Sequence, residues 1–405
     1  MLSNRIKSFN LQKIYVIGDQ VYTAAYNFLF VLITSLILKP DQFVEINYIF
    51  LLIMFVVNVC NALVFQPFMR QINKNKIITK NIILFSVKYL VSIFLISMLL
   101  LFILMGIFDL TFSTLMLGFL WLILITFYEF TKRINMIKGN WKSNFNVGLT
   151  LNILTWGTVI YLQPNSSLKY LMICMIILFI SCLVLFLSSK KSLFDKINVD
   201  NVVDVGEFFN NGKILLGGAI SFWFISGGYL LFLSSFLSVE EISALRIIQN
   251  LFNGVLILTT ALDNYILSGN GRKIFEMRRI LVGALTAFIL LYSVIVFIIS
   301  KVIYTTNYEV VYLLPIWLIF YIVLGISRFL VSMIKFFSVS KAVFTSQFYS
   351  MLTFIILFAL WLFTSEHVNV YIVSIIWIPS ISIFLIMNLV EMKKLNYMLI
   401  SEEKN

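Results

Sequence analysis

Among the charged residues in or beside stretches that are otherwise apolar, seven are the positions where this chain could do chemistry: Asp19, Lys88, Glu129, Arg246, Asp263, Arg328 and Lys335. A charge at the centre of a membrane helix costs roughly 2.5–3.5 kcal/mol on the insertion scale, so such residues are candidates for function. Arg246 and Arg328 carry planar, permanently charged forks. Lys335 lies seven residues beyond Arg328, two helical turns along the same face. Lys88, Glu129 and Lys335 are close enough to span ends to snorkel to an interface. Asp19 and Asp263 suit a gate ion pair or a coupling-ion site, or simply a cap or a partner for a nearby basic group. The amides Asn27, Asn47, Asn58, Asn61 and Asn250 also fall within apolar stretches, where they can bind a polar solute or join helices by hydrogen bonds. These side chains suit the binding and passage of a polar cargo better than the breaking of bonds.

Catalytic and metal signatures are sparse. The one histidine, His367, stands in a short loop with no cysteine or second histidine beside it. Cys60, Cys174 and Cys182 sit inside apolar stretches without metal spacing and read as small packing residues. Gly269-Asn270-Gly271-Arg272-Lys273 lacks the phosphate-loop spacing and reads as a turn. No platform for an extracellular catalytic site is visible. A transporter, not an enzyme, is expected.

The elements that must hold these residues are membrane helices. The chain of 405 residues is 61% hydrophobic and 12% charged. Twelve apolar stretches, at 14–38, 43–67, 81–107, 110–131, 145–163, 168–188, 214–237, 243–268, 277–303, 309–334, 341–363 and 368–391, each match the length of a bilayer crossing. Of 30 Lys and Arg residues, only Lys39, Lys169, Arg246 and Lys301 fall on one side, leaving 26 on the other. Basic loops mark the cytoplasmic face, so both termini are expected inside. The net charge of +12 is thus a matter of topology and of attraction to anionic lipid headgroups, with no nucleic acid implied. No signal peptide is expected. The longest polar stretch, 188–213, reads as a cytoplasmic linker with a short interfacial helix. It divides the chain into a six-helix half at 1–188, a linker at 189–213 and a second six-helix half at 214–405. A 199-residue offset aligns Leu38 with Leu237, Asp41 with Glu240, Leu52 with Leu251, and Ala62-Leu63 with Ala261-Leu262. Six helices per half is an even number, which makes the halves a parallel repeat. Pro315 and Pro379 fall inside spans and predict kinks.

Several short motifs carry a family resemblance. They are Gly18-Asp19-Gln20 and Tyr26-Asn27-Phe28, then Lys39-Pro40-Asp41-Gln42-Phe43 and Gln66-Pro67-Phe68. Arg246-Ile247-Ile248-Gln249-Asn250-Leu251 and Ala261-Leu262-Asp263-Asn264 complete the set. With the 6 + 6 plan, the chain resembles the polysaccharide and O-antigen repeat-unit flippases of the multidrug/oligosaccharidyl-lipid/polysaccharide (MOP) exporter superfamily. The specific similarity covers about residues 18–68 and 246–264. The family often has a proline soon after the equivalent of Asp263-Asn264, where this chain continues Tyr265-Ile266-Leu267. The resemblance implies an all-α, MATE-like polytopic fold in a bacterial cytoplasmic membrane. It implies alternating-access translocation of an undecaprenyl-diphosphate-linked oligosaccharide for O-antigen, capsule or exopolysaccharide, with polymerase and chain-length machinery as partners. For that cargo, Arg246, Arg328, Lys88 and Lys335 are the expected phosphate cations and Asn27 and Asn250 the expected sugar contacts. No cofactor beyond a coupling cation, Na+ or H+, is expected. Two other readings stay open: a cation-coupled multidrug exporter of the same superfamily, and a membrane oligosaccharide polymerase.

Overall fold

The computed structural model describes residues 2–69, 78–107, 111–137, 140–194, 197–198, 205–266, 271–304, 310–337, 340–365 and 367–402. Much of the basic loop after the second span, the centre of the linker and residues 267–270 lie outside the described residues, as does Glu366; of the turn expected at 269–273, the described part from Gly271 on is helical instead. The chain is almost wholly helical. Among the described residues, ten helical stretches are long and apolar enough to cross a membrane, and Val21–Ile37 and Leu84–Leu99 are shorter apolar segments of the same kind. The chain is a multi-pass membrane protein. In lipid every backbone polar group must be satisfied within the segment, which leaves helices as the form for such a sequence. The only strand pairing among the described residues is two residues long, Ile78–Thr79 (β1) beside Ile197–Asn198 (β2), parallel.

Two compact units make up the chain, Met1–Ala219 and Ile220–Asn405. The first holds α1 (Leu2–Ile37), α2 (Pro40–Cys60), α3 (Lys80–Ile107), α4 (Phe112–Ile137), α5 (Trp141–Leu162) and α6 (Ser167–Phe194). Pro40 starts α2 at a position where its missing N–H costs nothing. Gln163 closes α5 in the left-handed region at φ 43°, and Pro164 follows. Within this unit α1 packs on α5, α4 on α6 and α2 on α4. Its core is aromatic: Phe30 and Phe50 stack at 4.3 Å, with Trp121 5.4 Å and Tyr170 5.9 Å from Phe30.

The helix α7 (Val205–Trp223) starts in the first unit and ends in the second. The linker's expected interfacial helix is therefore continuous with the seventh span. The second unit continues with α8 (Tyr229–Leu233), α9 (Val239–Tyr265), α10 (Gly271–Glu276), α11 (Arg278–Ile303), α12 (Val310–Phe337), α13 (Ser340–Thr364) and α14 (Val370–Glu402). Here α12 packs on α14 and α9, and α13 on α14. Most of the apolar window of α9 is buried (72%) and little of that of α11 (17%), so α9 packs inside the protein and α11 lies at its surface. Phe354 and Trp377 stack at 4.2 Å, and Tyr229 meets Trp377 edge-on at 4.8 Å. The 199-residue offset relates Phe30 to Tyr229 and Trp121 to Phe320, all four nearly inaccessible.

Ser238 and Glu241 form a reciprocal cap on α9. Glu241 N–H donates to Ser238 Oγ (3.2 Å), and Ser238 N–H donates to Glu241 Oε2 (3.0 Å). The other carboxylate oxygen accepts from Val370 N–H (3.0 Å), which ties the start of α14 to the start of α9. Pro315 and Pro379 lie inside unbroken helices, α12 and α14. The irregular turns fall elsewhere, as π-helical turns at Asn61–Phe65 and Phe224–Gly228, with Gly227 non-helical at φ 159°. A π turn inserts an extra residue and re-aims the side chains around it.

Candidate functional site

The first unit contains a partly open cavity of about 210 Å³. Its apolar wall includes Met54, Val57, Ile125 and Leu151. Its polar wall has four amides, Asn27, Asn58, Asn61 and Asn152, with Tyr26, Tyr128, Glu129 and Arg133. The π turn in α2 supplies Asn61 and Phe65, which both face this space. Gly148 of α5 lies beside Asp19 and Tyr128: a methyl group there would stand 3.6 Å from Asp19 Oδ1 and 3.7 Å from Tyr128 Oη, an ordinary contact.

A four-membered charge network borders the cavity. Lys132 Nζ lies 3.0 Å from Asp19 Oδ1, and both side chains are almost completely buried, at 4% and 3% exposure. The contact is an ion pair rather than a well-directed hydrogen bond, since Oδ1 has no hydrogen-bond partner of good geometry. Lys132 also donates to Thr23 Oγ1 (3.2 Å), lies 5.5 Å from the Tyr128 ring centroid and stands 3.8 Å from Glu129. Arg133 reaches Glu129 at 3.9 Å. The lysine is held from behind. Asn144 Nδ2 donates to the Lys132 carbonyl (3.0 Å), and Asn135 Nδ2 donates to Asn144 Oδ1 (3.0 Å), which locks the end of α4 to the start of α5. Asn152 is also structural in part, donating to the carbonyls of Tyr22 (3.1 Å) and Gly148 (2.9 Å).

Lys132 and Arg133, counted in the sequence as cytoplasmic loop charges, belong to the last two turns of α4, and Lys132 points into the protein. Helical spacing to Glu129, at i+3 and i+4, was the available signal. The third partner, Asp19, is more than 100 residues away and joins only through the fold.

The other candidates are dispersed. Asp19 and Asn27 are both at this site, Asn27 on the cavity wall. Lys88 is exposed on α3. In the second unit Arg246 is buried on α9 at 6% exposure, within electrostatic reach of Tyr229 and Tyr321. Its neighbours are tightly bonded: Gln249 Nε2 donates to Tyr229 Oη (2.8 Å), and Tyr321 Oη donates to the Gln249 carbonyl (2.9 Å). Asn250 is buried one turn on and accepts from Asn253 Nδ2 at 3.5 Å. Arg328 is half-buried with its guanidinium 4.3 Å from the Phe222 ring centroid, a cation–π contact. Lys335 is exposed two turns along α12. The side chain of Asp263, in α9, lies outside the described residues.

No protein-family model and no curated protein matches the chain. Solved structures do. A variant of the Vibrio cholerae MATE transporter VcmN aligns over 98% of this chain and 98% of its own, with a TM-score of 0.56 at 13% identity. A Pyrococcus furiosus MOP superfamily transporter, described by a reverse polarity of its binding pocket that suggests a different function, covers 97% and 95% at TM-score 0.58 and 12% identity. An inward-facing multidrug resistance MATE family transporter of the MOP superfamily covers 97% and 96% at TM-score 0.55 and 10% identity. The chain has the fold of these transporters.

Proposed function

We propose that this protein is an exporter of organic solutes working by alternating access, with the cavity of the first unit as its binding chamber. The observation that carries the reading is a partly open cavity, with amides, phenols and charges set into an apolar wall, inside an apolar helical unit, in a chain whose fold is that of MATE transporters. Few polar groups survive in a membrane interior without a task, and here amides, phenols and charges converge on one space. We place both termini inside, on the distribution of basic residues, and the protein in a bacterial cytoplasmic membrane, on the sequence resemblance. The test is efflux of fluorescent organic compounds from cells expressing the protein, compared with an Asn27→Leu/Asn61→Leu variant of equal abundance. Equal efflux by both, or none above control cells, rejects the reading.

A second reading is favoured by the amide-rich wall. Asn27, Asn58 and Asn61 beside Tyr26 and Tyr128 offer the paired donors and acceptors that hydroxylated rings need. Together with the sequence resemblance, this supports translocation of a lipid-linked oligosaccharide, with Arg246 and Arg328 as candidate phosphate partners. Loss of surface polysaccharide in a deletion strain supports it. Normal polysaccharide in that strain rejects it.

A further inference from the structure

We propose that the cavity of the first unit is a charge-balanced site that takes an uncharged hydroxyl- or amide-bearing part of a solute, and that Lys132 permanently occupies the place a coupling cation would take beside Asp19. The proposal rests on the reading of the cavity as a solute chamber and adds its chemistry.

Asp19, Glu129, Lys132 and Arg133 carry two negative and two positive charges. Lys132 is not a mobile visitor. Its ammonium is held by Asp19 and Thr23, and the Asn144–Asn135 pair holds its backbone carbonyl. A metal cation approaching Asp19 would meet that ammonium 3.0 Å from the carboxylate oxygen it needs. Asp19 and Lys132 are the buried part of this balanced set, and an ion of either sign added beside them leaves one charge uncompensated, which low dielectric makes costly.

The buried polar atoms that wall residues leave unpartnered define what a ligand must satisfy. Tyr26 Oη, Asn61 Oδ1 and Arg133 Nε are buried, lack a hydrogen-bond partner, and belong to residues on the cavity wall. Tyr26 itself is only 7% exposed. Arg133 Nε offers a donor, Asn61 Oδ1 an acceptor, and the phenol either. A hydroxyl or a carboxamide satisfies all three kinds at once. A carboxylate would leave Asn61 Oδ1 unserved and face Glu129, and an ammonium would leave Arg133 Nε unserved and face two cations. Leaving a buried polar group unpaired is the larger part of such discrimination.

The test uses the purified full-length protein in nanodiscs. Binding of radioactive Na+ and thermal unfolding in NaCl against choline chloride at equal ionic strength are measured first. Wild type is expected to bind no Na+ and to unfold at the same temperature in both salts. Lys132→Met, which frees Asp19, is expected to gain a Na+-dependent rise in unfolding temperature, and Asp19→Asn/Lys132→Met to lose it again. Na+ binding by wild type that Asp19→Asn abolishes overturns the proposal, and so does a folded Lys132→Met variant without a Na+ response. If Lys132→Met does not fold, the wild-type Na+ measurement decides. Quenching of tryptophan fluorescence is then titrated with benzamide, benzylammonium and benzoate, one ring with three head-group charges. Trp156 reports from beside the cavity, since its Nε1 donates to Oδ1 of the wall residue Asn152 at 3.3 Å. Benzamide is expected to bind at least about tenfold more tightly than either ion, and to weaken in Asn61→Leu and Tyr26→Phe. Equal or tighter binding of an ion, or no binding by any of the three, overturns the proposal. Benzamide binding without cellular efflux sinks only the exporter reading.

Discussion

Lys132 shows how one side chain can change meaning between sequence and structure. At the end of an apolar stretch it is an interfacial cation, but in the fold it is a buried partner of Asp19. Removing one member of a buried pair leaves an uncompensated charge, whereas removing both is far milder. Lys132→Met is therefore expected to lower stability by roughly 3–5 kcal/mol, and Asp19→Asn/Lys132→Met to recover most of it. A double-mutant cycle by thermal unfolding in detergent checks this, and additive effects would show that the pair does not interact. Asn144→Leu removes the amide that holds the Lys132 carbonyl and accepts from Asn135. A loss of about 1–3 kcal/mol is expected from the stranded polar groups, read by the same measurement. Arg246 illustrates the converse. Its buried place within α9 could be anticipated from a charge in an apolar run, but its setting of Tyr229 and Tyr321 could not.

Between elements, close contacts decide which helices pair. Gly18 lets α1 lie against α5, because a methyl group there would overlap the Phe145 ring. That ring is held by Tyr15 at 5.4 Å and Tyr22 at 5.1 Å, so it has little freedom to withdraw. Gly18→Ala is expected to cost about 1–3 kcal/mol by overpacking, while Gly148→Ala, whose new methyl would make only ordinary contacts, is expected to be milder. Comparing the two unfolding temperatures checks the packing of α1 on α5. Glu241 joins two elements through its cap and its bond to Val370. Its replacement by alanine is expected to cost roughly 1–2 kcal/mol, and glutamine should retain part of this because it keeps one acceptor oxygen. Hydrogen exchange at the start of α14 should quicken in the alanine variant; an unchanged rate would remove Glu241 from that junction. The serine–glutamate spacing of this cap is readable in sequence, but its bond to a residue 129 positions away is not.

For the molecule as a whole, the basic residues set the expected orientation. Ser166→Cys, in the turn before α6, should be labelled by a membrane-impermeant reagent from outside the cell. Asn140→Cys, before α5, should be labelled only after permeabilisation. The opposite pattern would invert the topology and with it the proposed direction of transport. Cys60, Cys174 and Cys182 are buried, so their background labelling should be low.

The sequence by itself determined that this is an all-helical, multi-pass membrane protein, because spans of apolar residues and the need to satisfy every backbone polar group leave no other form. Family-like motifs and the 6 + 6 plan pointed to the superfamily whose fold the chain has. The tertiary structure alone decided which polar residues share a space. Asp19 and Lys132, or Asn27 and Arg133, are separated by about a hundred positions, and no spacing rule links them. They meet because aromatic and small residues dock α1, α2, α4 and α5 around one cavity, and an apolar sequence contains many dockings equal in hydrophobicity. What separates these dockings is steric fit, as at Gly18 against Phe145, and that fit exists only in three dimensions.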